Sequence, residues 1–431
     1  MLKNKIYTFA LALIVLVGFS SCESYFEGIN ENPNDPTDVS QDVLLPGIEV
    51  NLGFTYGGDF SRYASILTQH AKGETRQWAS INNYSSFLPV NFNTPWSFSM
   101  YAGVLNDLKI LKEKSSEDGS NHYEGIASIL EAYSWMLMVD FFNDVPFSEA
   151  FQGTDIIQPT YDGAASVYAG VSSLLATGIT KMSEEVAGKT PGADDLMYGG
   201  DAASWVKFAH GLTARMHLHQ KNYSSALTSI GSSFESAADE ASVQFLAGST
   251  TAAPWFQFNR DRGDIQVGDA MAALLAANAD PRESLFTPTF DGAHPIFIDG
   301  RAVPLMSYAE AEFIRAECLL QTSAAQGDVD AAFASAVAAG CEKYGVDATA
   351  ASDYAAGLGS ADLNAIMTQK YMSMYMEPEA FNDYRRHELP ALTPNAGSVI
   401  PNRFPYPEEE ILYNTNTPAV DIFTDKVFWD N

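Results

Sequence analysis

The chain has 431 residues, and its 54 acidic and 24 basic residues give a formal net charge of −30 at pH 7. Because 46% of the residues are hydrophobic and 12% are aromatic, the chain can bury a large core, and the charge does not indicate disorder. A charge this negative, without a basic stripe, argues against nucleic acid as a partner and against direct adsorption to anionic lipid.

The first 22 residues have the organisation of a secretion signal. Lys3 and Lys5 precede an apolar run over residues 6–17, which is shorter than the ~20 residues of a membrane-spanning helix. Small residues lead into Cys22, an arrangement that resembles the lipobox of bacterial lipoproteins. The resemblance implies a signal peptide over residues 1–21 and acyl chains on Cys22, which would anchor the protein to a membrane outside the cytoplasm. The alternative is an ordinary cleaved signal with an incidental cysteine.

Residues 22–46 are predicted to form an extended tether, because NENPNDPT at 30–37 is dense in residue types that make turns and exclude helix. From residue 47 onward most apolar residues recur at helical spacing. This spacing predicts one helix over residues 53–75, broken at Gly57 and Gly58, and another over 95–112. Further apolar stripes of the same kind occur at residues 126–137, 167–182, 205–216, 313–320 and 333–344.

The predicted helices come in pairs with many alanines at their contact positions, as in residues 309–316 and 331–338. This pattern favours stacked helical hairpins of the tetratricopeptide kind. We therefore predict an all-α fold, with irregular tetratricopeptide-like hairpins and long loop insertions in a single domain over residues 47–431. The least helical stretches are 78–94, 244–265, 286–304 and 393–431, and such loops are where binding residues usually lie.

Two cysteines remain after Cys22, namely Cys318 and Cys341. In a hairpin of helices over residues 308–321 and 328–344, the two cysteines are offset by ~12 Å along the helix axes. A disulfide needs Cα atoms within ~7 Å. We expect two buried free thiols.

A series of short sequence blocks spans nearly the whole chain after Cys22. The longest is DLMYGGD at 195–201, followed by WVKFA at 205–209 and LTAR at 212–215. The others, in chain order, are IN at 29–30 with NP at 32–33, DVPFSEA at 144–150, DPR at 280–282, YAEAEF at 308–313 with AE at 316–317, EAF at 379–381 with DYRR at 383–386, and PNRFPYP at 401–407 with Glu410 and Asn414. The ordered set resembles the blocks of SusD/RagB-type outer-membrane nutrient-binding lipoproteins. One departure is His210, where the family usually has Asn, and we expect it to affect the helix and not the ligand.

The resemblance implies a lipid-anchored outer-membrane protein that acts as the receptor or lid beside a TonB-dependent transporter of the SusC/RagA type. It implies capture of oligosaccharide or, in some members, of peptide, without a cofactor or metal and without catalysis. The chain has no H-E-x-x-H, G-x-S-x-G or phosphate-loop motif. A peptide receptor of the same type, a structural surface lipoprotein and a glycosidase with a carboxylate pair hidden among the acidic residues remain as alternatives.

A glycan site needs flat aromatic faces with polar groups at their edges. Two segments predicted to be loops have this character, and their candidate ligand-binding residues are Arg76, Trp78, Asn83 and Tyr84 in the first and Trp255, Phe256, Arg260 and Asp261 in the second. The alternative is that the tryptophans fill the core while the charged residues form solvated pairs.

Other polar residues favour structural roles. Glu377, Glu379, Arg385 and Arg386 are predicted to form ion pairs that brace the C-terminal segment. The histidines on one predicted helix, at 210, 217 and 219, lack the further ligands that a metal site requires.

Overall fold

The computed structural model describes residues 39–287, 289–290, 292, 294–397 and 399–430. The predicted signal peptide, Cys22 and most of the predicted tether lie outside these residues. The α-helices are α1 (Gln41–Thr55), α2 (Ser61–Leu67), α3 (Arg76–Asn82), α4 (Asn106–Asp118), α5 (Asn121–Phe142), α6 (Ala164–Met182), α7 (Ala202–His219), α8 (Tyr223–Ile230), α9 (Pro254–Asp261), α10 (Asp269–Ala277), α11 (Tyr308–Gln321), α12 (Gln326–Glu342), α13 (Ala348–Gly357), α14 (Leu363–Ser373), α15 (Glu379–His387) and α16 (Glu408–Tyr413).

Strands are few and short. They are β1 (Ala71–Gly73), β2 (Ala241–Val243), β3 (Ile265–Val267) and β4 (Val303–Met306). β1 pairs antiparallel with β3, and β2 pairs antiparallel with β4. Helices dominate the described chain, and the prediction of an all-α fold is confirmed.

The N-terminal helix begins earlier than the sequence suggested. α1 starts at Gln41 although Pro46 lies inside it, so the predicted end of the tether at residue 46 falls within a helix. Leu45, Ile48 and Leu52 are completely buried, and this packing outweighs the low helix propensity of the Pro and Gly residues. α1 continues through a π-helical segment, Tyr56–Phe60, into α2. The break predicted at Gly57 and Gly58 is therefore a widened turn inside one continuous helix.

The core is built around α5, whose 22 residues are almost all buried. By length and composition α5 could cross a membrane, but here it lies inside the protein. It packs against α4, α6 and α7. Glycines allow the close approach of α5 and α6, because a Cβ at Gly178 would lie 2.5 Å from Ile129 Cγ1 and one at Gly125 would lie 2.6 Å from Met182 Sδ.

Consecutive helices pack in pairs: α5 with α6, α7 with α8, and α11 with α12. The pair α11 and α12 has the bounds expected from the sequence within two residues at each end. Cys318 and Cys341 are buried and free, as predicted.

Candidate functional site

The charged residues of the C-terminal segment are buried and mostly paired, as predicted. Lys343 contacts Glu377, and Arg386 donates to Glu317 Oε2 at 2.8 Å and to Asp383 Oδ1 at 2.7 Å. Burial raises the pKa of Glu377 to about 7, against the opposing effect of the Lys343 ammonium. These contacts are structural ties between helices.

Arg385 departs from the ion-pair prediction. Its Nη2 donates to the main-chain carbonyl of Asp140 at 2.6 Å, and its Nη1 donates to that of Asn402 at 2.8 Å. The guanidinium carbon also lies 4.3 Å from the centre of the Phe381 ring. Arg385 therefore ties α5 to the C-terminal segment through main-chain carbonyls.

Asp140, His219 and Glu379 form a buried cluster whose ligand-type atoms lie within 4.8 Å of one another. His219 Nε2 is 2.7 Å from Glu379 Oε1, and its Nδ1 is 2.9 Å from the Tyr168 hydroxyl. Trp429 Nε1 donates to Asp140 Oδ1 at 2.8 Å. Because both ring nitrogens of His219 are engaged, the cluster acts as a tie between α5, α7 and α15. The sequence offered no further ligands for the histidines at 210, 217 and 219 and did not reveal this grouping, since Asp140 and Glu379 come from distant helices.

The structure brings the two predicted ligand segments together. Pairing of β1 with β3 places α3 beside α9, and Arg76 Nε donates to Asp264 Oδ1 at 2.6 Å. The Phe258 ring lies edge-on to Trp78 at 5.4 Å and to Trp255 at 6.2 Å between ring centres. Segments separated by about 180 positions in the sequence therefore share one region of the surface.

The expectation that Trp78 and Trp255 are exposed aromatic platforms is wrong. Their exposed fractions are 3% and 6%. Trp78 packs on Tyr63 at 5.4 Å, and Trp255 Nε1 donates to the Ser61 hydroxyl at 2.7 Å. Both segments are short helices and not loops, and each helix turns its tryptophan toward α2 and the core. The alternative that the tryptophans fill the core is the one observed.

The other predicted residues of the second segment remain at the surface. Arg260 and Asp261 are exposed and form an ion pair with Nε to Oδ1 at 2.6 Å. Phe256 is half-buried, and its ring lies 4.6 Å from that of Phe297. This segment can therefore offer one partly exposed ring and a charged pair to a ligand.

In the first segment, Arg76 and Asn83 are exposed, whereas Tyr84 is 7% exposed. The Tyr84 hydroxyl accepts a hydrogen bond from the main-chain N–H of Asn395 at 3.1 Å. Its backbone φ is 66°, a left-handed conformation that is an outlier for a bulky residue. Such outliers cluster at functional sites because they require support from the surrounding structure.

A surface cleft of about 450 Å³ lies beside Tyr84. We call it the Tyr84 cleft, and its lining residues are Asn83, Tyr84, Ser85, Ala396, Gly397, Val399 and Phe423. Phe423 is 39% exposed and was not a sequence candidate. Only the folding of the C-terminal segment onto α3 brings its ring to this cleft, so no local sequence signal could have identified it.

These features define a class of protein: an all-α scaffold of helical hairpins that carries polar and aromatic clefts at its surface. The chain belongs to the SusD-like family described as starch-binding and associating with the outer membrane, which matches residues 33–295 and 292–407. Proteins of this family are outer-membrane-associated binding proteins, and the predicted family resemblance is confirmed.

Solved structures support the fold. A SusD/RagB family protein from Bacteroides thetaiotaomicron is 23% identical, with a TM-score of 0.78 over 91% of this chain and 99% of the other. A chitin-binding protein is 19% identical, with a TM-score of 0.75 over 91% and 100%. A SusD homologue from Bacteroides fragilis is 19% identical, with a TM-score of 0.72 over the same shares. No curated protein matches the sequence.

Proposed function

We propose that this protein is a lipid-anchored, surface-exposed outer-membrane receptor that captures oligosaccharide and delivers it to a partner TonB-dependent transporter of the SusC/RagA type. The observation that carries the proposal is the match over residues 33–295 and 292–407 to a family of starch-binding outer-membrane proteins. The lipobox-like sequence ending at Cys22 supports the lipid anchor. The function is binding and not catalysis.

The ligand surface in this proposal comprises the exposed parts of α3 and α9 together with the Tyr84 cleft. Asn83 and Ser85 supply an amide and a hydroxyl, and Phe423 supplies an aromatic face for the C–H side of a sugar ring. The other candidate residues of this surface are Arg76 on α3 and Phe256, Arg260 and Asp261 on α9. Trp78 and Trp255 act from the core, where they hold Phe258, α3 and α9 in position.

The proposal is tested by isothermal titration calorimetry of the full-length protein in detergent against starch-derived, chitin-derived, plant and host oligosaccharides. We expect one class to bind, and we expect Asn83→Ala and Phe423→Ala to weaken its affinity by about tenfold each, as for residues central to an interface. The matched control is Val43→Ala on α1, an exposed apolar residue outside every cleft described, which leaves the affinity unchanged.

Circular dichroism checks that each variant keeps its helical content. Failure of the unaltered protein to bind any oligosaccharide, with binding of peptides instead, would replace glycan capture by peptide capture. Binding that both substitutions leave unchanged would remove the Tyr84 cleft from the ligand surface.

A further inference from the structure

A separate cleft, of about 410 Å³, lies between the π-helical segment Thr94–Leu105 and the chain that follows α5. We call it the Trp96 cleft, and its lining residues are Trp96, Ser97, Tyr101, Ala102, Asn106, Pro146, Ala150, Phe151, Pro159 and Glu410. It shares no residue with the Tyr84 cleft. Its volume lies within the range of ~300 to 1,000 Å³ typical of small-molecule sites.

Three aromatic rings form a row along this cleft. The ring centres of Trp96 and Tyr101 are 5.2 Å apart, and those of Tyr101 and Phe151 are 5.9 Å apart. The Tyr101 hydroxyl donates to the Pro146 carbonyl at 2.8 Å, which fixes the ring against the opposite wall. Tyr101 and Phe151 are only half-buried, so parts of their faces remain available to a ligand.

Polar groups with spare hydrogen-bonding capacity stand at the edges of these rings. The side-chain amide of Asn106 has no hydrogen-bond partner among the residues described. Glu410 Oε2 accepts from the Tyr161 hydroxyl at 2.8 Å, whereas its Oε1 has no partner within the described chain. An amide and a carboxylate oxygen beside aromatic faces suit a ligand with hydroxyl groups around an apolar ring.

Phe151 has a backbone φ of 61°, which places a bulky residue in the left-handed region. Such a conformation is strained and persists only where the surroundings enforce it. Here it accompanies the placement of the Phe151 ring in the cleft wall, as expected when side-chain position is under functional constraint.

The charge around the cleft narrows the class of ligand. Glu408, Glu409 and Glu410 form the first turn of α16, and no Lys or Arg lines the cleft. A ligand carboxylate here would face carboxylates without a cation to pair with, which is unfavourable. Neutral and amino sugars have no such conflict.

We propose that the Trp96 cleft is a second carbohydrate subsite, which takes a sugar unit of a neutral or amino-substituted glycan and rejects uronic and sialic acids. The inference rests on the proposed glycan-capturing function. It adds a second binding position, which takes another part of the same glycan or a second glycan molecule. It assigns ring contacts to Tyr101 and Phe151 and hydrogen bonds to Asn106 and Glu410.

The test measures the affinity of the full-length protein in detergent for maltoheptaose, chitohexaose, cellohexaose and an oligogalacturonate by calorimetry. We expect a neutral or N-acetylated probe to bind and the oligogalacturonate to fail. Phe151→Ala and Asn106→Ala should each lower the affinity for the probe that binds by about tenfold. Glu410→Gln should reduce the discrimination against oligogalacturonate, because it removes a negative charge from the cleft. The matched control is Phe98→Ala, which removes a 75% exposed ring from the same π-helical segment without touching the cleft.

The subsite is overturned if Phe151→Ala, Asn106→Ala and Glu410→Gln, each folded by circular dichroism, bind all four probes as the unaltered protein does. If Phe423→Ala alone then abolishes binding, the proposed function stands without this subsite. If the unaltered protein binds none of the probes nor any other oligosaccharide, both proposals fail. Tight binding of oligogalacturonate by the unaltered protein would contradict the assigned selectivity.

Discussion

At the scale of single residues, buried ion pairs connect helices that are distant in sequence. The Arg215 side chain on α7 donates to Glu310 on α11 through Nε and Nη2, both at 2.7 Å, and both residues are almost completely buried. Arg215 Nη2 also donates to the Leu305 carbonyl at 2.9 Å. This two-point contact fixes α11 relative to α7, because a guanidinium and a carboxylate form two parallel hydrogen bonds only when they lie in the same plane.

Glu310→Gln should lower the free energy of unfolding by about 3 kcal/mol, because it removes both short contacts of a buried guanidinium and leaves only the Glu379 carboxylate, 4.0 Å from Arg215 Nε, as counter-charge. Urea denaturation followed by circular dichroism measures the change. The control is Glu113→Gln on α4, which removes the exposed Lys109–Glu113 pair at 2.8 Å and should cost no more than about 0.5 kcal/mol. Equal effects of the two substitutions would show that the buried pair adds no more stability than the exposed pair.

The buried cluster around His219 makes stability depend on pH. Burial acts to lower the pKa of His219, but the Glu379 and Asp140 carboxylates outweigh it and raise the pKa to about 9. A histidine whose pKa is raised on folding contributes stability that is complete below its unfolded pKa of ~6.5 and is lost as the pH rises through the folded value. The stability of the protein should therefore fall between about pH 6.5 and pH 9.

His219→Gln should make the free energy of unfolding less dependent on pH in this range, since it removes the titrating group while keeping a hydrogen-bond donor near Glu379. Chemical denaturation at several pH values between ~7 and ~9 compares the two proteins. The free energy of unfolding of the unaltered protein should fall by a few kcal/mol more over this range than that of the variant. Parallel profiles would mean that His219 is not protonated in the folded protein.

At the scale of secondary structure, the π-helical segment between α1 and α2 depends on the absence of a side chain. A Cβ at Gly57 would lie 2.8 Å from Val303 Cγ1 and 3.2 Å from Pro254 Cγ. Val303 belongs to β4 and Pro254 begins α9, so this one position sets the separation of three elements.

Gly57→Ala should destabilise the protein by about 1 to 3 kcal/mol, because overpacking forces the stiff Val303 side chain or the backbone to move. Gly47→Ala on α1 is the matched control. A Cβ there meets nothing within 4 Å, and the helix propensity of Ala should make this variant more stable by up to about 1 kcal/mol. Thermal unfolding measures the stability of both variants. If Gly57→Ala leaves the stability unchanged, the contact between Gly57 and Val303 is not tightly packed.

At the scale of the whole molecule, the net charge of −30 acts on partners and not on the fold. The full-length protein in detergent should not be retained on heparin or DNA resins even at about 20 mM salt, where surface electrostatics are strongest. Its affinity for a neutral glycan should change less than about twofold between about 20 and 500 mM salt, because neither the sugar nor its aromatic contacts carry a net charge. Retention on either resin would reveal a local basic surface that the total charge conceals.

Much of the whole fold follows from sequence patterns. The 3- and 4-residue apolar spacing and the alanine-rich contact faces predict the helical hairpins, and the offset of Cys318 and Cys341 predicts that they stay unpaired. The ordered blocks predict the family. These features depend only on neighbouring residues or on the order of residues along the chain. A helix, for example, buries an apolar stripe that its own sequence encodes.

The location of the surface clefts depends on contacts that no local pattern encodes. An aromatic residue in a polar segment can point outward as a platform or inward as part of the core, and Trp78 and Trp255 point inward because α3 and α9 pack on α2. The Tyr84 cleft needs Phe423 from the C-terminal segment. The Trp96 cleft needs Phe151 and Glu410 beside a segment that the sequence predicted only as a helix. The sequence by itself therefore determined the long helices, their pairing and the family. Only the tertiary structure decided which aromatic faces remain open to a ligand, because exposure depends on which distant segment packs against each ring.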